Sequence, residues 1–127
     1  MYISSGGAVP IPTLQDVKDA ISGAQSILII SHVSPDGDAI GSLAGLGLAL
    51  RRLGKTVTMA CPTAPLPPSL AFIPGAADVV NSADGAFDIV IVLDCSDTER
   101  LEKLAAAAIQ PGRPLINIDH HFTNTRY

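Results

Sequence analysis

The sequence predicts an α/β domain in which a doubly wound parallel sheet is flanked by helices. Short apolar runs rich in Val and Ile alternate with segments of helical periodicity, and this order gives parallel strands joined by right-handed crossovers. Residues 87–93 form an apolar run broken only by Asp88, as expected for a strand buried on both faces. With 127 residues and 47% hydrophobic composition, the chain has the size and apolar content for one core.

The elements follow in order. Residues 1–12 carry two glycines and two prolines and are expected to be a flexible lead to a domain over 13–127. Thr13 and Asp16 resemble a capping box that begins a first helix. The predicted helices cover 13–23, 38–53 and 97–109, the last with Asp97 as N-cap, and a helical turn is expected at 70–73. The predicted strands cover 26–32, 55–61, 87–93 and 114–118, with a short strand or edge at 78–80.

Two finer predictions concern packing. Gly41 and Gly45 form a GxxxG pattern, which is expected to allow close packing of the second helix on the sheet. Residues 122–127 are expected to fray, because nothing follows in this sequence to pack on them.

Charge and hydropathy exclude several classes of protein. The net charge of -4 argues against a protein that coats duplex DNA, although not against an enzyme acting on short phosphorylated nucleotides. The apolar stretch 39–50 is shorter than the ~20 residues of a membrane span. Cys61 and Cys95 lie in or beside apolar runs and are expected to be reduced, buried thiols. With no signal peptide evident in 1–12, a cytoplasmic location is expected.

Two local motifs suggest sites that their context does not support. Gly54-Lys55-Thr56 resembles the end of a phosphate-binding loop, but it leads from a helix into a strand, and Ala49 stands where that loop needs a glycine. Asp36-Gly37-Asp38 resembles part of a calcium loop, but Ile40 occupies the next ligand position. A helix cap and a turn are the better interpretations.

Acidic residues and histidines follow three predicted strands. His32, Asp36 and Asp38 follow the first, Asp94 ends the third, and Asp119-His120-His121 ends the last. Each residue alone has a structural explanation, as a turn residue, a helix cap or a surface histidine. Because the carboxyl ends of parallel strands meet at one sheet edge, the joint pattern predicts a functional cluster.

The residue types indicate metal chemistry. Carboxylate oxygen with imidazole nitrogen suits Mn²⁺, Fe²⁺, Zn²⁺ or Mg²⁺. Asp36 and Asp38 can serve neighbouring ions, and Asp94 can bridge them. A pair of ions that activates water and clamps phosphoryl oxygens is a site for phosphate hydrolysis.

The motifs resemble those of the DHH phosphoesterase superfamily. The resemblance is carried by His32-x-x-Pro35-Asp36-x-Asp38, Asp94 and Asp119-His120-His121, and it covers about residues 13–127. Leu-Pro-x-x-Leu-x-Phe-Ile-Pro-Gly at 66–75 looks most like the NrnA-type branch of oligoribonucleases and pAp phosphatases.

The resemblance implies a role for each ligand. His32 and Asp36 would hold one Mn²⁺, Asp38 and His120 would hold the second, and Asp94 would bridge the two. Mg²⁺ or another divalent ion is an alternative. The nucleophile would be metal-activated water rather than a side chain.

Two further roles come from the same resemblance. His121 would contact the substrate phosphate, and Asp119 would orient His120 from behind. The expected substrates are short oligonucleotides, nucleotide phosphates or cyclic dinucleotides. Neither a membrane nor duplex DNA is expected as a partner, and homodimerisation stays open.

The sequence departs from the superfamily pattern in one respect. Members carry a fourth Asp motif and a C-terminal DHHA1 domain, and this sequence stops at Tyr127, so the DHH domain is expected to be incomplete. Three alternatives therefore remain: a manganese-dependent pyrophosphatase, an inactive metal- or nucleotide-binding fragment, and a structural domain with polar strand ends.

Overall fold

A five-stranded sheet with helices on both faces forms the domain. The computed structural model describes residues 12–127 and the backbone of residues 2–4. The strands are Tyr2–Ser4 (β1), Ser26–Ile30 (β2), Thr56–Ala60 (β3), Ile89–Leu93 (β4) and Leu115–Ile118 (β5). The α-helices are Leu14–Gly23 (α1), Gly37–Arg52 (α2) and Ala105–Ala108 (α3). Single 3₁₀ segments cover Pro68–Leu70, Ala76–Asp78 and Thr98–Leu104.

The strand order is β1-β5-β4-β2-β3, and the last four strands run parallel. This arrangement confirms the predicted α/β class. Residues 2–4 differ from the expected flexible lead, since they pair antiparallel with β5 and cover its otherwise open edge. The rest of that lead, residues 5–11, lies outside the described residues.

The core has two layers, one on each face of the sheet. Ile27 and Ile29 of β2 face α1 and α2, whereas Leu28 and Ile30 face the Thr98–Leu104 segment and α3. The alternation follows from the twofold repeat of a strand. Both faces are covered, which explains why β4 reads as an unbroken apolar run.

Helix starts agree with the predictions. Thr13 and Asp16 form the expected capping box of α1. Asp36 caps α2 by accepting a hydrogen bond from the backbone N–H of Ala39 at 2.9 Å. This cap fixes the end of the loop that leads out of β2, and that loop carries part of the site.

The expected role of the GxxxG pair is wrong. Gly41 and Gly45 lie on the exposed face of α2, and a Cβ at either would meet nothing within 4 Å. The close approach occurs instead at Gly47, where a Cβ would lie 2.3 Å from Met59 Sδ on β3. Helical phase, which turns about 100° per residue, decides which glycine faces the sheet.

The prediction of a continuous helix over 97–109 is also wrong. Asp97 does cap the segment, but Thr98–Leu104 is 3₁₀ and Glu102 breaks it with φ 47°. Leu101 and Leu104 lie on either side of this break, and both are fully buried. The break therefore lets both leucines enter the core without a continuous helix between them.

Two smaller predictions shift along the chain. The helical turn expected at 70–73 lies at Pro68–Leu70. In place of a strand at 78–80, Ala76–Asp78 is a 3₁₀ turn and Val80 makes an isolated bridge to Ala60.

The predicted fraying of residues 122–127 is wrong in its main part. Thr125 N–H donates to Ser96 O at 2.8 Å, and the Tyr127 hydroxyl donates to Cys95 O at 2.9 Å. Phe122 is fully exposed, whereas Asn124 and Tyr127 are half-buried. The segment folds back because carbonyls in the loop after β4 accept its hydrogen bonds.

Both thiols are free and buried, as predicted, and burial raises the pKa of Cys61 and of Cys95. Within the described ranges, none of the helices combines the length and apolar character needed to cross a bilayer.

Candidate metal centre

The carboxyl ends of β2, β4 and β5 lie side by side, because β4 pairs with both of the other strands. The three groups of site residues predicted from the sequence therefore meet at one edge of the sheet. Asp94, at the end of the central strand, lies between the other two groups.

The loop after β2 presents His32. The His32 side chain is 4% exposed, and its Nδ1 lies 2.8 Å from Val33 O, which leaves Nε2 facing the site. Behind it, the Ser31 hydroxyl donates to Leu93 O at 3.1 Å and ties this loop to the end of β4.

The α2 N-terminus supplies two carboxylates. The N–H of Ala39 donates to Asp36 and lowers the pKa of that carboxyl. Asp38 lies in the first turn, where its Oδ2 is 3.4 Å from His120 Nε2. Both carboxylates benefit from the positive end of the helix dipole.

Asp94 is the centre of the arrangement. Its backbone has φ 55°, and its N–H donates to Ile118 O at 3.0 Å. One carboxylate oxygen, Oδ2, lies 3.6 Å from His32 Nε2. The other, Oδ1, lies 3.2 Å from His120 Nε2. The two oxygens thus face two different groups of ligands, as the predicted bridging role requires.

Asp119 pairs with a different histidine from the one predicted. His121 Nδ1 lies 2.6 Å from Asp119 Oδ1, whereas Asp119 was expected to orient His120. This hydrogen bond raises the pKa of His121. Burial raises the pKa of Asp119, but hydrogen bonds from Asn124 and His121 outweigh this effect, so the pKa of the carboxyl is lower than its ordinary value. The neighbouring side chain, His120, lies instead beside Asp38, with its Nε2 3.4 Å from Asp38 Oδ2.

Two groups of residues bring possible ligand atoms within 4.8 Å of one another, and both contain Asp94. The first is His32, Asp36 and Asp94, and the second is Asp94, Asp119, His120 and His121. The first group matches the predicted first metal site. The second contains His120, which also lies beside Asp38.

A buried atom without a hydrogen-bond partner indicates that these residues fit a cation. Asp94 is 7% exposed, and its Oδ1 accepts no hydrogen bond from any described residue. Such an atom normally costs about 1–3 kcal/mol in stability. A divalent cation held by carboxylate and imidazole would satisfy it. The donor set suits Mn²⁺ or Mg²⁺ and offers no thiolate, since both cysteine side chains bond elsewhere.

The sequence-based reasoning missed two residues at the site. Arg100 Nη2 lies 2.8 Å from His32 Nδ1, and the Asn124 amide donates to Asp119 Oδ2 at 2.7 Å. The position of Arg100, in the first turn of the segment that follows the loop after β4, was the available signal. Asn124 gave none, because its role depends on the fold of residues 122–127.

A cleft of about 430 Å³ opens beside the cluster. Asp38, Asp94 and His120 line its polar side, and Leu46 and Ile118 contribute to an apolar side. Ile118 is 37% exposed. The cleft therefore offers charged and apolar surfaces together.

Comparison with known proteins identifies this arrangement. Residues 26–127 match the profile described as "DHH family, N-terminal domain". The chain is 36% identical over 116 residues to the bifunctional oligoribonuclease and PAP phosphatase NrnA of Thermus thermophilus, covering 88% of this chain and 32% of that protein. The NrnA of Bacillus subtilis is 35% identical over 102 residues, covering 80% and 31%.

A solved structure has the same fold. The crystal structure of an exopolyphosphatase-related protein from Bacteroides fragilis superposes with a TM-score of 0.69 and 33% identity, covering 85% of this chain and 34% of that one. The chain thus spans about a third of the length of these relatives. With the profile matched over most of its residues and the three motifs assembled at one sheet edge, this chain belongs to the DHH family and carries its N-terminal domain.

Proposed function

We propose that this chain carries the metal-binding part of a phosphoesterase that hydrolyses short oligoribonucleotides or nucleotide phosphates such as pAp. The observation that supports it most directly is Asp94, whose two carboxylate oxygens face two groups of ligands. A carboxylate shared in this way suits a pair of cations, and paired cations are suited to phosphoryl chemistry.

The proposed ligands are five residues whose donor atoms lie near Asp94 or, for Asp38, near His120. His32 and Asp36 would hold one ion, Asp38 and His120 the other, and Asp94 both. We propose Mn²⁺ as the metal, with Mg²⁺ as the alternative. When bound, the ions would activate the attacking water and neutralise charge on the phosphoryl oxygens.

His121 and Asp119 have a separate role in this proposal. Their hydrogen bond commits His121 Nδ1 and raises the pKa of the imidazole, so Nε2 keeps its proton to higher pH than usual. A protonated imidazole beside the cleft can donate to a phosphate oxygen. Asp119 thereby acts through His121 rather than through His120.

The substrate class rests on the relatives and on the cleft. The two NrnA proteins are named as oligoribonuclease and PAP phosphatase. The apolar side of the cleft, at Leu46 and Ile118, offers a surface for a base or ribose, which inorganic pyrophosphate lacks. This surface favours a nucleotide substrate over the pyrophosphatase alternative.

Chromatography of products formed from 5′-pApA tests the proposal. The chain is incubated with Mn²⁺ beside two variants, Asp94→Asn and the control Asp84→Asn, which changes an exposed carboxylate in the loop before β4. We expect AMP from the unmutated chain and from Asp84→Asn, but none from Asp94→Asn. A parallel incubation with pyrophosphate should release no phosphate.

Equal AMP formation by Asp94→Asn would refute the role of the shared carboxylate. Absence of AMP from the unmutated chain would refute catalysis by these 127 residues. If phosphate is released from pyrophosphate faster than AMP is released from pApA, the proposed nucleotide substrate is wrong and pyrophosphate takes its place.

A further inference from the structure

We propose that Arg100 is a phosphate-binding residue of this site, held against His32 by the 3₁₀ segment Thr98–Leu104 that follows β4. Its ligand would be a non-bridging phosphate oxygen of the nucleotide. The inference rests on the proposed function, since it names a contact for the substrate of the same site.

The backbone of Arg100 is fixed on two sides. Its N–H donates to the Asp97 carboxylate at 3.1 Å. Its carbonyl accepts from Val33 N–H at 2.9 Å, and Val33 follows His32 directly. The segment is therefore bound to the same loop that presents His32, so the guanidinium moves with that loop.

The guanidinium has no carboxylate partner among the described residues. Its side chain is half-buried, and Nη2 lies 2.8 Å from His32 Nδ1. Arg51 shows the ordinary arrangement, with Asp78 Oδ2 at 2.7 Å. Arginine carries five N–H donors in a planar fork that matches phosphate oxygens, and most of those of Arg100 are uncommitted within residues 12–127.

Metal binding by His32 would end its hydrogen bond with Arg100. His32 Nδ1 lies 2.8 Å from both Arg100 Nη2 and Val33 O. Nδ1 either accepts from the arginine or donates to the carbonyl, but cannot do both. If Nε2 binds a cation, the proton resides on Nδ1 and is donated to Val33 O, as metal-binding histidines usually do. Arg100 then needs another acceptor.

The charge of Arg100 favours an anion as that acceptor. The guanidinium keeps its positive charge at all ordinary pH values, and its Nη2 lies 2.8 Å from a ring nitrogen of His32 rather than from a carboxylate oxygen. A phosphate oxygen would pair with this guanidinium through charge-assisted hydrogen bonds.

Equilibrium binding of AMP, with adenosine as a probe that lacks the phosphate, tests the proposal. The variants are Arg100→Gln, Arg100→Lys and the control Arg52→Gln. Arg52 is exposed at the last turn of α2, roughly 20 Å along that helix from Asp38. Titrations use saturating Mn²⁺, and Mn²⁺ affinity is measured separately by the paramagnetic resonance of the free ion.

We expect Arg100→Gln to weaken AMP binding about tenfold or more, as for loss of a charge-assisted hydrogen bond. Adenosine and Mn²⁺ affinities should change less than about twofold by the same reckoning. Arg100→Lys should fall between, because lysine keeps the charge but not the fork. Arg52→Gln should match the unmutated chain.

Three results would overturn the proposal. One is AMP affinity unchanged in Arg100→Gln. Another is a parallel loss of Mn²⁺ affinity, which would make Arg100 a positioning residue for His32. The third is no AMP binding by the unmutated chain. Failure of the proposed function is recognised separately, because it is judged by turnover of pApA and not by AMP affinity.

Discussion

Replacement of Asp94 by Asn should stabilise the metal-free protein and remove most of its stabilisation by Mn²⁺. The carboxylate is 7% exposed, its Oδ1 accepts no hydrogen bond from the described residues, and other carboxylates share the cluster. The amide removes the buried charge and keeps the size of the side chain. Asn also tolerates the φ of 55° at this position better than most residues.

The expected magnitude follows from that environment. An unsatisfied buried acceptor costs about 1–3 kcal/mol. The three histidine contacts at 3.2–3.6 Å recover part of this cost. We therefore expect a gain of about 1–2 kcal/mol in the free energy of unfolding, or about 4–8 °C in Tm for a chain of this size.

Urea unfolding followed by circular dichroism measures this effect, because the chain has no tryptophan. One series is run in EDTA and a second with Mn²⁺ at about 100 times its Kd for the unmutated chain, which should stabilise that chain by about 2.7 kcal/mol per site. In Asp94→Asn the metal increment should fall below about 1 kcal/mol, since the shared ligand is weakened. Asp84→Asn serves as the control in both series.

Two outcomes would refute this reasoning. If Asp94→Asn is less stable than the unmutated chain in EDTA, the carboxylate is already satisfied by its histidine neighbours. If Mn²⁺ stabilises both proteins equally, Asp94 is not a shared ligand.

Three other predictions concern the scaffold. Gly47→Ala should lower the free energy of unfolding by about 1–2 kcal/mol, since its Cβ would overlap Met59. Gly45→Ala, at an open helix position, should raise the free energy of unfolding by up to about 1 kcal/mol. Urea unfolding measures both variants, and equal effects would contradict this prediction. The N–H groups at the start of β2 lower the pKa of Asp88, so its contribution to stability is present above about pH 3.8 and lost as the pH falls through the lower native value. Asp88→Asn should therefore flatten the dependence of the urea midpoint between pH 5 and pH 2, and an unchanged slope would contradict it. Tyr127→Phe removes a hydrogen bond to the loop after β4 and should speed amide exchange in the last residues; exchange as slow as in the unmutated chain would show that the hydroxyl does not hold them.

Most of the fold could be predicted because its signals are local. The capping box at Thr13, the N-cap at Asp36 and the apolar runs of β2, β4 and β5 are readable over a few residues. The convergence of site residues was also predictable. Parallel strands place their carboxyl ends at one edge, so residues that follow different strands must meet there.

The errors came from features that depend on distant contacts. The break at Glu102 and the close approach at Gly47 depend on what packs against each segment, and a helical pattern looks the same without that partner. The prediction that residues 122–127 fray is wrong for the same reason, since the Tyr127 hydroxyl donates a hydrogen bond to Cys95 O, 32 residues earlier in the chain.

The sequence by itself therefore determined the α/β class, the family and the cluster of carboxylates and histidines. Only the tertiary structure decided which of these side chains pair with one another. It directs Asp119 to His121 rather than His120, places Arg100 against His32, and leaves Asp94 Oδ1 without a hydrogen bond. The physical reason is that strand order and strand ends fix positions to within a residue or two, whereas pairing depends on side-chain direction and on loops that only the packed chain positions.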